Sequence, residues 1–525
     1  MPKLQRLVGD EGTTFERHFC TIAICCPSRV SLMTGKLAHN TNVTDVNPPH
    51  GGYPKFVAEG HNENYLPVWL QDAGYNTYYT GKLMNSHTPS NYNKPFPKGW
   101  NGTDFLMDPS TYSYWNSTFQ SNHNAPVESD GYSTDFISNY ALNFIEEAYS
   151  SDRPFFIGVA PIAPHAKVVA AEGSSAFTFP DPAERHQEKF VDVKAPQEGG
   201  NFNPDTPSGA SWVMDLPQLN SSQLSYLDEY YRKRVRSLQA VDELVESVVT
   251  KLEDYGLLEN TYIFYTSDNG YHMGQHRMTP GKGCPYEEDI NVPMIIRGPG
   301  VPKGRTVDFV TSHTDIAATL FDLAGIPLRD DFDGLPMPLT VPEIHNAKSD
   351  PRREHLSVEF WGTIIEEGDI GRVSPTEGAL VHSNNTYKAM RVIGDSYNFF
   401  YSVWCTNEHE LYDMTNDPYQ MRNLFNNSKG RLLGRDINQV ISRLDALLLV
   451  LKSCKGSECT FPWQVLHPDK KVTSLPQALQ PKFDAFYAAQ PDISFSACEL
   501  GYLLESEGPQ EGYAYRRNGH WSNWV

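Results

Sequence analysis

Along the 525-residue chain, short apolar runs alternate with segments whose apolar positions recur every three or four residues, an alternation that predicts an α/β fold. The clearest unit spans residues 222–270. Leu238, Val241, Leu244, Val245, Val248 and Leu252 fall on one face of a helix, and Gly256 stops it. Residues 261–266 (Thr-Tyr-Ile-Phe-Tyr-Thr) then predict a buried strand, and Ser267-Asp268-Asn269-Gly270 is the turn that leaves it. A second unit repeats the scheme, with a helix over 136–149, a strand over 154–160 and a loop, Pro161-Ile162-Ala163-Pro164-His165. Ligands of open α/β sheets collect at the carboxyl ends of strands. Both units place polar residues there. From about residue 352 the texture changes. The stretches 355–361, 387–393 and 397–404 predict antiparallel strands and 438–452 a helix. The expected organisation is a main domain over 1–351 and a smaller C-terminal α+β domain over 352–525.

Composition narrows the class. Apolar residues make up 39% and aromatics 12% of the chain, and the mean hydropathy is −0.48, values of an aromatic-rich globular protein. The longest clean apolar run, Ala446 to Leu451, is far below the roughly 20 residues that cross a bilayer. With 43 Lys+Arg against 64 Asp+Glu the net charge is −21, which argues against a large nucleic-acid footprint. An anionic substrate must then be held by a local cationic site working against the global field. Eight cysteines are too few for a disulfide scaffold in so long a chain, although Cys454 and Cys459 are placed to pair. Glycosylation sequons at Asn42, Asn101, Asn116, Asn220, Asn384 and Asn426 lean toward a secretory route, while the first residues carry no signal-peptide pattern.

The most informative stretch is Cys25-Cys26-Pro27-Ser28-Arg29-Val30-Ser31-Leu32-Met33-Thr34-Gly35. Pro27 suits a first helical position and Gly35 a helix end, so Cys25 is expected just ahead of a helix N-terminus, where backbone N–H groups favour an anion. Arg29, about one turn in, is placed to fix an oxygen or the nucleophile. A vicinal cysteine pair alone would be an ordinary buried or bridged pair; the residues that follow it make the difference. Together they resemble the sulfatase signature. The resemblance extends to other segments: Gly74-Tyr75-Asn76-Thr77 followed by Gly81-Lys82, Ala163-Pro164-His165, Ser267-Asp268-Asn269-Gly270, Gly281-Lys282 ahead of Tyr286-Glu287, and the late Glu410-Leu411-Tyr412-Asp413 with Asn416-Asp417-Pro418. It runs from about residue 2 to 430. Met84 and Asn85 after Lys82 depart from many members and resemble instead the N-acetylglucosamine-6-sulfatase branch and related fungal arylsulfatases.

The resemblance implies an alkaline phosphatase-like α/β fold, a large mixed sheet flanked by helices, with the C-terminal domain carrying an antiparallel sheet. It implies a sulfuric ester hydrolase acting on aryl sulfates or sulfated glycans. Cys25 is then converted by a formylglycine-generating enzyme to formylglycine. One hydroxyl of its hydrate takes the sulfuryl group, and loss of the other's proton expels sulfate. Cys25, Arg29, Lys82, His165 and Lys282 are the implied catalytic residues, with His165 as general acid and His272 and His276 as lesser candidates. Cys25, Asp268 and Asn269 are the implied ligands of Ca²⁺ or Mg²⁺, hard cations suited to a carboxylate and an amide oxygen. Such enzymes are secreted or vacuolar and lysosomal. The family also opens with a strand ending in an Asp-Asp pair. Only 24 residues precede Cys25, and Asp10 and Glu11 are poorly placed substitutes. The expectation is a chain truncated at its N-terminus that binds the cation weakly and hydrolyses sulfate esters poorly. The competing readings are a phosphomonoester or phosphonate hydrolase of the same superfamily and a non-catalytic relative with a degenerate site.

Overall fold

The computed structural model describes residues 1–171, 174–349, 353–368, 381–427, 429–516 and 521–523. The expected domain boundary at 351/352 falls outside them.

Three sheets organise these residues. In the first, the strands run in the order Val127–Glu128, Thr118–Ser121, Gly102–Leu106, Asn76–Lys82, Phe155–Ala160. The last three are parallel, with Tyr78 opposite Gly102 and Asn76 opposite Phe155. In the second, the order is Ile263–Thr266, Met294–Arg297, Thr13–Phe15, Arg305–Val307, parallel only between the last two. The mixed sheet read from the sequence is thus in two pieces, with Phe155–Ala160 and Ile263–Thr266 as their edges. One helical layer spans both. Leu4, Val8, Ile145, Val249 and Leu252 form a core against which Phe155, Ile157, Ile263 and Tyr265 pack. On the opposite side lie the helices Cys25–Thr34 and Thr314–Leu323, whose Val30, Met33, Ala317 and Phe321 share a core with Tyr79 and Phe105.

The helix expected over the 222–252 stripe spans Ser221–Asp254. It starts on a reciprocal cap, in which the Asn220 side chain accepts from the N–H of Gln223 and the Gln223 side chain accepts from the N–H of Asn220. Gly256, at φ 67°, follows its end. The other periodic segments form helices at Ser133–Tyr149 and Ile437–Leu451.

The third sheet, His355–Phe360, Tyr387–Gly394, Tyr397–Trp404 and His409–Asp413, is antiparallel throughout. It is buried on both faces. Met390, Val392, Tyr401 and Val403 meet Val440, Leu444 and Leu447 of the late helix. Leu356, Val358, Ala389 and Trp404 meet Phe19, Ile22, Cys284 and Tyr286. This second core ties the late sheet directly to the loops that carry the site. Two disulfides pin the C-terminal region: the expected Cys454–Cys459, and Cys405–Cys498, which closes a separation of 93 residues.

Burial on both faces traps charge. Lys388 and Glu359 are both 0% exposed, and Glu359 accepts from Lys388 Nζ at 2.8 Å and from His39 Nδ1 at 2.9 Å. Burial pushes the Glu359 carboxyl up, but His39 and Lys388 outweigh it and hold it at about 2, against 4.5 when free. A carboxyl depressed in this way stabilises the fold above its unfolded value, and the contribution is lost as pH falls from 4.5 through about 2. Glu359→Gln is expected to cost about 3–5 kcal/mol at neutral pH, because Lys388 keeps its buried charge with only Glu507 left, 3.7 Å away. Denaturant unfolding at pH 7 and across the acid range measures both effects. The variant should show a shallower acid loss than the parent.

Candidate active site

The helix Cys25–Thr34 begins at Cys25 itself, after extended backbone at Ile24 (φ −149°), and not at Pro27, two residues later, as the proline placement suggested. Pro27 still falls in the first turn, where a missing N–H costs nothing. Gly35 ends the helix at φ 68°, with its N–H on the Ser31 carbonyl at 2.9 Å. A side chain there would also meet the Phe332 ring. Residue 25 is thereby fixed at the positive end of a short, firmly capped helix.

One turn on, Arg29 reaches two elements at once. Its Nε donates to Asp268 Oδ2 at 2.8 Å and its Nη1 to the Lys82 carbonyl at 2.5 Å. Asp268 leaves the Ile263–Thr266 strand, and Lys82 ends the Asn76–Lys82 strand. The guanidinium therefore bridges the carboxyl ends of strands from the two sheets. Ser28 Oγ adds a bond to the Asp268 carbonyl at 2.5 Å and one to His313 Nδ1 at 2.9 Å.

Lys82 is 2% exposed, and its Nζ donates to the Tyr112 hydroxyl at 2.7 Å, as does Asn85 Nδ2 at the same distance. The Tyr112 ring lies 4.4 Å, centroid to centroid, from that of His165. His165 Nδ1 is 2.7 Å from the Ala166 carbonyl, which can only accept, so that nitrogen carries the proton. Its Nε2 accepts from Lys282 Nζ at 2.9 Å. Lys282 Nζ also lies 3.2 Å from Glu367 Oε1. Four of the other segments singled out in the sequence, those of Lys82, His165, Asp268 and Lys282, thus converge on the Cys25 helix.

Electrostatics follow from that packing. Burial pushes the Cys25 thiol up, but Lys282, Lys82 and Arg29 outweigh burial and the opposing Asp268, leaving it below its ordinary range. Burial likewise raises Asp268, yet Arg29, Lys82 and Lys282 hold it well below the usual carboxylate range. Burial and then the Lys282 ammonium push His165 down to about 3, so its ring is neutral at pH 7. In the neighbouring Cys26, burial raises the thiol to about 12. Two adjacent cysteines are set apart by environment. Cys25 feels Lys282, Lys82 and Arg29, and Cys26 chiefly Lys82.

The turn Asp268-Asn269-Gly270 has its own signature. Asn269 N donates to Asp268 Oδ1 at 3.0 Å and Asn269 Nδ2 to the Gly270 carbonyl at 2.7 Å. Asn269 Oδ1 is buried and has no hydrogen-bond partner among the described residues. An orphaned amide oxygen beside an ionised carboxylate fits a hard cation. The turn is held from behind by Gly270 N on the Asp289 carbonyl at 2.8 Å; a side chain at Gly270 would lie 2.1 Å from the Glu288 carbonyl, so only glycine allows this approach.

His272 and His276 stand outside the cationic cluster. His272 Nδ1 lies 2.9 Å from Asp289, and His276 Nδ1 is 3.2 Å from the Ser208 carbonyl, with its ring stacked on Tyr286. Both support the loops that present Asn269 and Lys282. Sequence reasoning missed Tyr112 and Glu367. Tyr112 lies in an unremarked polar loop, and Glu366-Glu367 has the look of a solvated acidic pair.

Cys25 at a helix start, under the charges of Arg29 in the same helix, Lys82 at a strand's carboxyl end and Lys282 in a loop, makes a site suited to an anionic ester. The sulfatase family model matches residues 1–326, and the chain belongs to that family and is a sulfuric ester hydrolase. An arylsulfatase from Volvox carteri is 39% identical over 525 residues, 95% of this chain and 78% of the relative. An N-acetylglucosamine-6-sulfatase from Bos taurus is 32% identical over 489 residues, 88% of this chain and 81% of the relative. Among solved structures, a protein in complex with its substrate D-glucosamine-2-N,6-O-disulfate superposes with a TM-score of 0.61 at 23% identity, over 81% of this chain and 88% of its own. That last likeness is one of fold.

Proposed function

We propose that the chain hydrolyses aryl or sugar sulfate esters with residue 25, as formylglycine, acting as nucleophile beside a Ca²⁺ or Mg²⁺ ion. The observation that carries the reading is Cys25, 2% exposed at a helix N-terminus and under the combined field of the buried Lys82 and Lys282 and the half-buried Arg29. Arg29, Lys82 and Lys282 supply three positive charges against the two negative charges of Asp268 and Glu367. A divalent ion held by Asp268 and Asn269 beside residue 25 would turn that near balance into a clear surplus for a sulfate group. When formed, the formylglycine hydrate supplies the oxygen that takes the sulfuryl group. Arg29 orients residue 25 and Asp268 together. Lys82, steadied by Tyr112, binds sulfate oxygens, and the Lys282–His165 pair delivers the proton to the leaving oxygen. The names of the relatives, arylsulfatase and N-acetylglucosamine-6-sulfatase, support phenolic and sugar leaving groups.

Parallel assays with nitrophenyl sulfate and nitrophenyl phosphate test the reading. Faster turnover of the sulfate is expected; a preference for phosphate would move the assignment to a phosphomonoester or phosphonate hydrolase. The ion is tested without turnover. Adding Ca²⁺ should raise the parent's Tm by a few degrees at concentrations about 100-fold above Kd. Asn269→Ala should need about tenfold more ion for the same shift. An unchanged Ca²⁺ response in that variant would remove Asn269 from the ligand set.

A secretory route is supported by the two disulfides, which persist in oxidising compartments. It is supported too by exposure of the sequon asparagines Asn101, Asn116, Asn220, Asn384 and Asn426, with Asn42 half-buried. Secreted or vacuolar and lysosomal placement fits these features, and there the formylglycine-generating enzyme is the partner that must reach residue 25. No described helix is long and apolar enough to cross a membrane.

A further inference from the structure

We infer that Glu367 is a positioning residue for leaving-group protonation, its carboxylate holding the Lys282 ammonium against Nε2 of His165. The inference rests on the sulfatase reading above and deepens it at a charged group of the cluster that no sequence motif marks.

The geometry is specific. Glu367 Oε1 lies 3.2 Å from Lys282 Nζ and 3.8 Å from His165 Nε2, and Lys282 Nζ lies 2.9 Å from His165 Nε2. The three polar groups form one compact triangle. Glu367 is 5% and Lys282 6% exposed, so water does little to screen the contact. The carboxylate is also built into the site by its backbone. Glu367 N donates to the Pro280 carbonyl at 2.6 Å, two residues before Lys282, and Ile364–Ile365 pairs with Val381–His382 just upstream. Beside it, Glu366 meets His382 Nε2 at 3.2 Å. The loop carrying the lysine and the strand end carrying the glutamate are thus fastened to each other independently of the ion pair.

The proton inventory explains what the carboxylate does. His165 spends its one N–H on the Ala166 carbonyl and offers Nε2 as an acceptor, so the transferable proton of the pair is on Lys282. Arg29 and Lys82 belong to the same cluster, and their like charge opposes an ammonium there. Glu367 is the carboxylate in direct contact with the Lys282 ammonium, 3.2 Å away, and it also lies 3.8 Å from His165 Nε2. In the step it serves, the bond between sulfur and the ester oxygen breaks with its electron pair left on that oxygen. The oxygen takes a proton from Lys282 Nζ, the sulfuryl group passes to the residue-25 oxygen, whose own proton leaves to water, and the neutral amine regains a proton from water. Nothing is oxidised or reduced. Glu367 touches none of the reacting atoms; it acts through Lys282.

The test separates positioning from mere support by changing the leaving group. A nitrophenolate departs with little need of a proton, whereas a sugar alkoxide depends on one. Glu367→Gln should lower kcat for a glucosamine 6-sulfate about 30-fold more than for nitrophenyl sulfate, with KM values within about threefold of the parent's. Glu367→Asp should recover most of the difference. Equal losses on the two esters, or a change confined to KM, would overturn the inference. A second measurement does not need turnover. In the ¹⁵N-histidine-labelled full chain, the His165 Nε2 resonance, identified by its loss in His165→Asn, should shift in Glu367→Gln and return in Glu367→Asp; an unmoved resonance would equally overturn the inference. A parent that hydrolyses neither ester would refute the sulfatase reading by itself, and the resonance would then decide on Glu367 alone.

Discussion

Cys25→Ala is expected to remove sulfate ester hydrolysis to background, a loss of at least about 10³-fold on nitrophenyl sulfate relative to the parent. No neighbour can stand in. Cys26 points into the core formed by Val30, Tyr53 and Leu83, and burial keeps its thiol protonated. Cys20 and Cys284 are buried, and burial pushes both thiols up. The substitution should leave the fold intact, because it removes a single small side-chain atom and alanine suits a helix well. Retained Tm with lost turnover is therefore the pattern to look for with a sensitive fluorogenic aryl sulfate. Residual hydrolysis within about tenfold of the parent would place the nucleophile elsewhere.

Arg29→Ala should be nearly as damaging and for a different reason. Its guanidinium joins Asp268 to the Lys82 carbonyl, and so the ends of two strands from separate sheets. Removing it leaves the half-buried, ionised Asp268 with its direct partner gone, at a cost of about 2–3 kcal/mol in stability. It also removes one of the three charges facing the ester, worth about 10²–10³-fold in kcat/KM. Arg29→Lys should rescue little, since one ammonium cannot reproduce two bonds leaving a planar fork in different directions. Linkage gives an independent sign. The depressed Asp268 carboxyl stabilises the parent above its unfolded value and loses that contribution as pH falls. Arg29→Ala should flatten this part of the acid limb of stability. A variant with parent-like Tm and an unaltered acid limb would contradict the bridging role.

The sequence showed the elements better than their assembly. Periodicity located the helices now seen at Ser133–Tyr149, Ser221–Asp254 and Ile437–Leu451 and the strands that follow the first two, because amphipathic spacing is written locally. The segment Cys25 to Gly35 was legible for the same reason: a proline in the first turn and a left-handed glycine at the end are local demands of one helix. Strand neighbours are not local, so nothing in residues 154–160 or 261–266 told that these would be the edges of two sheets. His165 and Lys282 could each be marked, but not that they share a proton-bearing contact, which arises only when two loops 117 residues apart meet. Tyr112 and Glu367 show the limit most plainly. Their chemistry comes from what surrounds them, a lysine each, and no spacing rule encodes it.

The measurement closest to the central claim is the mass of the tryptic peptide spanning residues 18–29 from protein made in a secretory host. Conversion of the Cys25 side chain to an aldehyde lowers that peptide's mass by about 18 Da and makes it reactive toward hydrazide probes. We expect the lighter, probe-reactive peptide. A peptide carrying all three thiols, Cys20, Cys25 and Cys26, intact, in protein that still hydrolyses nitrophenyl sulfate, would contradict the account.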